Sequence, residues 1–162
     1  MMATDSKNGP ITSFVPAEHQ EAVAGALQQS LVDLIDLSLV AKQLHWSVVG
    51  PRFQSVHLAL DELVADARGF TDEVAERATA VGVSPDGRSK TVASDSGLDE
   101  ASAEFTSDDK VVRVATEALA ATVTRLRANI GNVGGDPVTE DLLIGISARL
   151  EQLHWMWEAK AV

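Results

Sequence analysis

The chain has 162 residues, 45% of them apolar and 23% charged, which is the size and balance of one domain able to bury a core of its own. With 13 Lys+Arg against 24 Asp+Glu the net charge is -11, so the surface repels nucleic acid and anionic membranes unless a local tail reverses the sign. There is no cysteine; disulfides, thiolate metal sites and cysteine nucleophiles are excluded, and any metal must be held by His and carboxylates.

Residues 1–16 are rich in Ser, Thr, Asn, Gly and Pro and end at Pro16, which predicts a mobile tail ahead of a domain over 17–162. No apolar run follows a basic patch, and nothing approaches ~18 consecutive apolar residues, so the protein is expected to be soluble and cytoplasmic. From Ala17 to about Val48, apolar residues at Val23, Leu27, Leu31, Leu34, Ile35, Leu39 and Leu44 keep a helical period. Gly50-Pro51 breaks that helix, and Pro51, with no N–H to leave unpaired, suits the first position of the next. The second helix carries Val56, Leu60, Leu63, Ala67, Phe70, Val74 and Val81 and stops at Gly82. Residues 83–107 hold turn chemistry, Pro85-Asp86-Gly87-Arg88, and mostly small polar groups, which predicts a long crossover with one short helix. A third helix is expected from about Asp108 to Asn132, capped by Ser107 or Asp108, with Val111, Val114, Leu119, Val123, Leu126 and Ile130 inward and Gly134-Gly135 ending it. Asp136 then reads as an N-cap and Pro137 as the first residue of a fourth helix running to about Ala159. Four long helices with one long connection between the second and third make an all-α, ferritin-like four-helix bundle.

Three of the four histidines and all three tryptophans fall in two places, His45-Trp46 with His57, and His154-Trp155-Met156-Trp157. On the second helix His57 and Asp61 are four apart and share a face, as do Asp72 and Glu76. Asp61 and Asp72 are separated by three turns plus ~20°, so all four lie on one stripe. That stripe runs one position beyond the core stripe and flanks the bundle interior. Asp61 and Asp72 are ~16 Å apart along the axis, too far to chelate one ion from a single helix. A second copy solves this. If two such helices pack antiparallel across a two-fold near Asp66 and Ala67, with small Ala67 permitting close approach, His57 and Asp61 of one copy face Asp72 and Glu76 of the other. His45 could complete each of the two equal sites. Mixed imidazole and carboxylate ligation with open positions suits Fe(II), Mn(II) or Zn(II).

The run from Lys42 to Leu63, with Lys42-Gln43-Leu44-His45-Trp46 and His57-Leu58-Ala59-Leu60-Asp61, followed by Asp72-Glu73-Val74-Ala75-Glu76-Arg77, resembles the Dps family of mini-ferritins. The resemblance covers the chain from the first helix to the fourth. It implies an inter-subunit ferroxidase centre whose ligands are His45, His57, Asp61, Asp72 and Glu76, with two iron ions per site cycling from Fe(II) to Fe(III), and with Zn or Mn as other divalent metals the site could take. It places Trp46 against the centre, where it would quench oxidising equivalents. It implies a hollow homo-dodecamer built from two-fold dimers. Such a cage would oxidise Fe(II), preferentially with hydrogen peroxide in place of dioxygen, store the ferric mineral inside and so protect the cell from oxidative stress. By the same analogy Asp136, Glu140 and Asp141 would line a three-fold pore for iron entry. The family's DNA-condensing members use Lys/Arg-rich tails, whereas only Lys7 is basic in residues 1–16, which argues against strong DNA binding.

Other readings compete. The same dinuclear site could serve a metal-assisted amide or ester hydrolase, and a DNA-compacting structural protein is a third possibility. A Ser-His-Asp hydrolase is set aside because no G-x-S-x-G turn is present. His154, Trp155 and Trp157 read as packing at the end of the fourth helix, and His19 between Glu18 and Glu21 is at best a weak metal pair.

Overall fold

A computed structural model describes residues 9–162. A short 3-10 turn, Ala17–His19, leads into α1 (Gln20–Ser47); then come α2 (Phe53–Ala80), the short α3 (Ser89–Asp95), α4 (Asp108–Asn132) and α5 (Pro137–Glu158). The two-residue strands β1 (Val48–Val49) and β2 (Thr106–Ser107) pair in parallel, Val48 with Thr106 and Val49 with Ser107. The four long helices are those expected, in the expected order. The β1/β2 pairing is new, since two residues carry no periodic signal from which a strand could be read.

α1 is the central element. It packs on α2, α3 and α4 and buries Val23, Leu27, Leu31, Leu34, Leu37 and Leu44 almost completely. By length and hydropathy Ala17–Ser47 would pass for a membrane span. Its contact with three other helices accounts for that composition, because a helix buried on several sides needs apolar groups on all of them. Leu60, Leu63, Ala67 and Val74 of α2, Val111 and Leu119 of α4, and Leu143, Ile146, Leu150 and Trp157 of α5 complete the core.

The helix ends follow local chemistry. Ser107 caps α4, its hydroxyl accepting from the Lys110 N–H at 3.4 Å. α2 ends on Gly82 at φ 82°, with Gly82 N–H bonded to Thr79 O and Val83 N–H to Ala78 O, the paired bonds of a Schellman close. Pro51 does not open α2 as expected. It sits in the turn before it, where Phe53 N–H donates to Gly50 O, and the helix starts two residues later. That turn is tied to the far side of the chain: Arg52 N–H donates to Asp108 Oδ2 at 2.6 Å and Arg52 Nη1 to Lys160 O at 2.7 Å.

The crossover is pinned along α1. Gln28 exchanges two hydrogen bonds with the Asp86 backbone, and Asp33, 2% exposed, accepts from Gly97 N–H and from Arg125 Nε. Of the segment expected to be a tail, residues 1–8 lie outside the described residues. Val15 is buried in the core and Ile11 O lies against Gly82, so the stretch from 9 to 16 packs on the end of α2. Packing therefore begins before Ala17, because Val15 supplies an apolar core contact that a count dominated by polar neighbours hides.

Candidate metal centre

His45 lies in the last turn of α1 and His57 in the second turn of α2, so the tight turn between these helices brings them together. Their rings stack with centroids 3.6 Å apart and planes 19° from parallel. His45 Nδ1 is 2.9 Å from His57 O, and His57 Nδ1 is 2.8 Å from His45 O. A carbonyl oxygen only accepts, so each Nδ1 carries the proton and each Nε2 keeps its lone pair. His45 O lies in the helical turn whose carbonyls lack intrahelical donors, so one of these bonds also satisfies the end of α1. His45 is buried at 6% exposure and His57 is half-buried, with Phe53 5.0 Å away on its other side.

Asp61, one turn beyond His57, is exposed and lies 3.4 Å from His45 Nδ1. Its Oδ1 also takes a hydrogen bond from Lys42 Nζ at 2.6 Å. The Lys42 ammonium is the main cause that holds the Asp61 carboxyl below its ordinary range. Lys42 belongs to the Lys42–Trp46 run, but nothing in the sequence alone ties it to Asp61. Its position three residues before His45, on the same helical face, was the signal available.

Asp72 and Glu76 are exposed on α2 and do not join this cluster. Among the described residues no group of three or more His or acidic side chains closes around a single point. One copy thus presents His45, His57 and Asp61 together at one end of α2, and Asp72 with Glu76 about three turns away on the same exposed stripe.

The structure corrects the residue expected at the closest approach of two such helices. Ala67 is fully buried in the core and Asp66 is turned to α5, where Arg149 binds it at 2.8 Å. At ~100° per residue, positions 66 and 67 point away from the 61/72/76 stripe, whereas Ala65 and Arg68 fall on it, and both are exposed.

The other expected residues separate by exposure. Trp46 is 66% exposed, with Lys42 Nζ 6.0 Å from its ring centre, and it shares a shallow groove with Phe105. Asp136 does not present itself for a pore from within one chain. It is buried, and its carboxylate binds Arg77 Nη2 at 2.7 Å and the Thr139 hydroxyl. Glu140 is half-buried and Asp141 exposed. Trp157 packs in the core as expected, but Trp155 is 64% exposed, and His154 lies 3.6 Å from Glu158. His19 packs its ring against Gly135, where a side chain would collide with it.

The ferritin-like domain profile matches residues 24–161. A DNA protection during starvation protein of Mycolicibacterium smegmatis is 35% identical over 138 residues, spanning 85% of this chain and 75% of that protein. The fine tangled pili major subunit of Haemophilus ducreyi is 34% identical over 138 residues, 85% of this chain and 73% of its own. Among solved structures, DpsA14 from Streptomyces coelicolor superposes with a TM-score of 0.88 at 32% identity, covering 94% of this chain and 92% of that one.

Proposed function

Because the chain belongs to the Dps family of ferritin-like proteins, we propose that it oxidises Fe(II) with hydrogen peroxide and stores the ferric product inside a hollow homo-dodecamer. The observation that carries this reading is the reciprocal pair of bonds between His45 and His57, which leaves both Nε2 lone pairs free, with the Asp61 carboxylate 3.4 Å from His45 Nδ1 in the same cluster. Imidazole nitrogen with carboxylate oxygen is the donor set that suits Fe(II). Asp72 and Glu76 of a second copy supply the remaining oxygens across a two-fold axis, which accounts for their exposure on the same stripe of α2.

Two Fe(II) held as substrate at one such centre give two electrons to one hydrogen peroxide. The O–O bond breaks, two protons are taken up, two waters leave and two Fe(III) remain. Because both electrons arrive together, hydroxyl radical is not released. Trp46, exposed and next to His45 in the chain, is the residue we assign to quenching an oxidising equivalent that escapes. Asp141, the exposed carboxylate in the first turns of α5, is the one we assign to iron entry. The net charge of -11 draws cations toward the shell and disfavours contact with DNA. Protection of the cell is thereby assigned to removal of iron and peroxide.

The test is an anaerobic mixture of the apo protein with two Fe(II) per site, to which sub-stoichiometric hydrogen peroxide is added while ferric absorbance and a radical trap are followed. Rapid oxidation at about two Fe(II) per peroxide without trapped radical, lost in the His57→Ala/Asp61→Ala double variant, is the expected result. Equal oxidation by both proteins would overturn the proposal. Turnover of an amide or ester with Zn(II) and no oxidant would favour the hydrolase reading instead.

A further inference from the structure

Resting on the metal-site reading above, we propose that Lys42 competes with the metal ion: its ammonium occupies Asp61 in the empty centre and must leave before Asp61 can ligate, so Lys42 sets the concentration at which the centre fills. Lys42 Nζ lies 2.6 Å from Asp61 Oδ1, and the same oxygen is the one nearest His45, at 3.4 Å. The ammonium therefore holds Asp61 by the carboxylate oxygen on the His45 Nδ1 side, next to the stacked imidazoles. A divalent cation and an ammonium both bind at carboxylate lone pairs, so at this oxygen they exclude one another.

The exit of Lys42 is built in. Its side chain is 23% exposed and that of Asp61 is 47% exposed, so both groups already contact water. The exposed face of Trp46, with its ring centre 6.0 Å from Nζ, offers a second resting place through cation–π attraction. The exchange breaks no covalent bond. The ammonium moves to solvent while the divalent ion takes the carboxylate. A centre armed in this way stays empty at low free metal and fills only when the ion outcompetes the internal cation.

A salt bridge that merely held Asp61 in place would have the opposite sign, since losing it would loosen a ligand and weaken binding. The experiment is an anaerobic titration of the full-length assembled protein with Co(II), read by its visible absorption, and with Zn(II), read by calorimetry. Lys42→Gln is expected to bind both ions roughly tenfold more tightly, and Lys42→Arg, which keeps the charge, to bind no more tightly than wild type. Unchanged or weaker binding by Lys42→Gln, in a variant with wild-type helicity and melting temperature, overturns the competition. Absence of Co(II) and Zn(II) binding in both wild type and Lys42→Gln would instead overturn the metal-site reading on which it rests.

Discussion

His45 and His57 each donate the Nδ1 proton to the other's backbone carbonyl, at 2.9 and 2.8 Å. The same two bonds join the end of α1 to the start of α2 and fix the tautomer in which Nε2 is free. Folding and preparation of the two proposed ligands are thereby coupled. His57→Ala removes one Nε2 and leaves His45 O without its donor. Iron oxidation is expected to fall by about 100-fold or more, while stability drops by only ~1 kcal/mol. Stopped-flow ferric absorbance beside a thermal melt checks both, and oxidation at the wild-type rate would contradict the assignment of His57.

The proposed division of the centre between two copies has a quantitative consequence. The double variants His57→Ala/Asp61→Ala and Asp72→Ala/Glu76→Ala should each be inactive alone. When both are co-expressed, half of the two-fold pairs are mixed and each mixed pair holds one intact site of two, so about one quarter of the sites return. Measured Fe(II) oxidation in the mixture should recover to that fraction. No recovery, with mixed assemblies confirmed by mass, would place all ligands on one chain.

Gly50 adopts φ 134°, and a Cβ there would lie 2.8 Å from the Asp108 carboxylate. That carboxylate receives the Arg52 N–H, so the turn that presents His57 depends on it. Gly50→Ala is expected to cost ~1–3 kcal/mol through strain and displacement of Asp108, lowering the melting temperature by roughly 3–10 °C. Calorimetry of the assembled protein measures this, and an unchanged melt would show that the turn can rearrange.

The acid limb of stability has identifiable sources. Arg127, and then the Ser147 hydroxyl, holds Glu151 at about 2, well below its ordinary 4.5. A carboxyl depressed in the folded state stabilises the protein above its unfolded pKa, and that contribution disappears as pH falls from about 4.5 toward 2. Because Glu151 and Arg127 are 37% and 66% exposed, solvent screening keeps the effect below ~1 kcal/mol. Glu151→Gln should therefore be slightly less stable than wild type at pH 7 and equal to it near pH 2.

Asp136 shares the sign with a larger stake. Burial pushes its carboxyl up, but the Thr139 hydroxyl and the Arg77 guanidinium outweigh burial and leave it lowered. Asp136→Asn leaves Arg77, half-buried, without its counter-charge at the start of α5. A loss of ~1–3 kcal/mol at pH 7 that narrows below pH 4 is expected from urea titrations at several pH values. A loss independent of pH would assign the contribution to packing instead of charge.

The sequence by itself determined the helices, the long crossover and the candidate ligands. A 3.6-residue period, Ser107 ahead of Asp108 and Asp136-Pro137 at a helix start are local signals, because capping and amphipathicity act within a few residues of one another. The spacing of His57, Asp61, Asp72 and Glu76 was legible for the same reason. Only the tertiary structure decided which way the neighbours of those residues turn. Ala67, expected at a contact between copies, went into the core because a rotation of one residue moves a side chain by ~100° around the helix, and Asp136, expected at a pore, is buried ahead of α5 because Arg77 of α2 docks against it. The bonds from each of the His45 and His57 rings to the other's backbone carbonyl, the hold of Lys42 on Asp61 and the β1/β2 pairing each join groups from different segments. Such contacts depend on how two elements dock, and no period within either element encodes that.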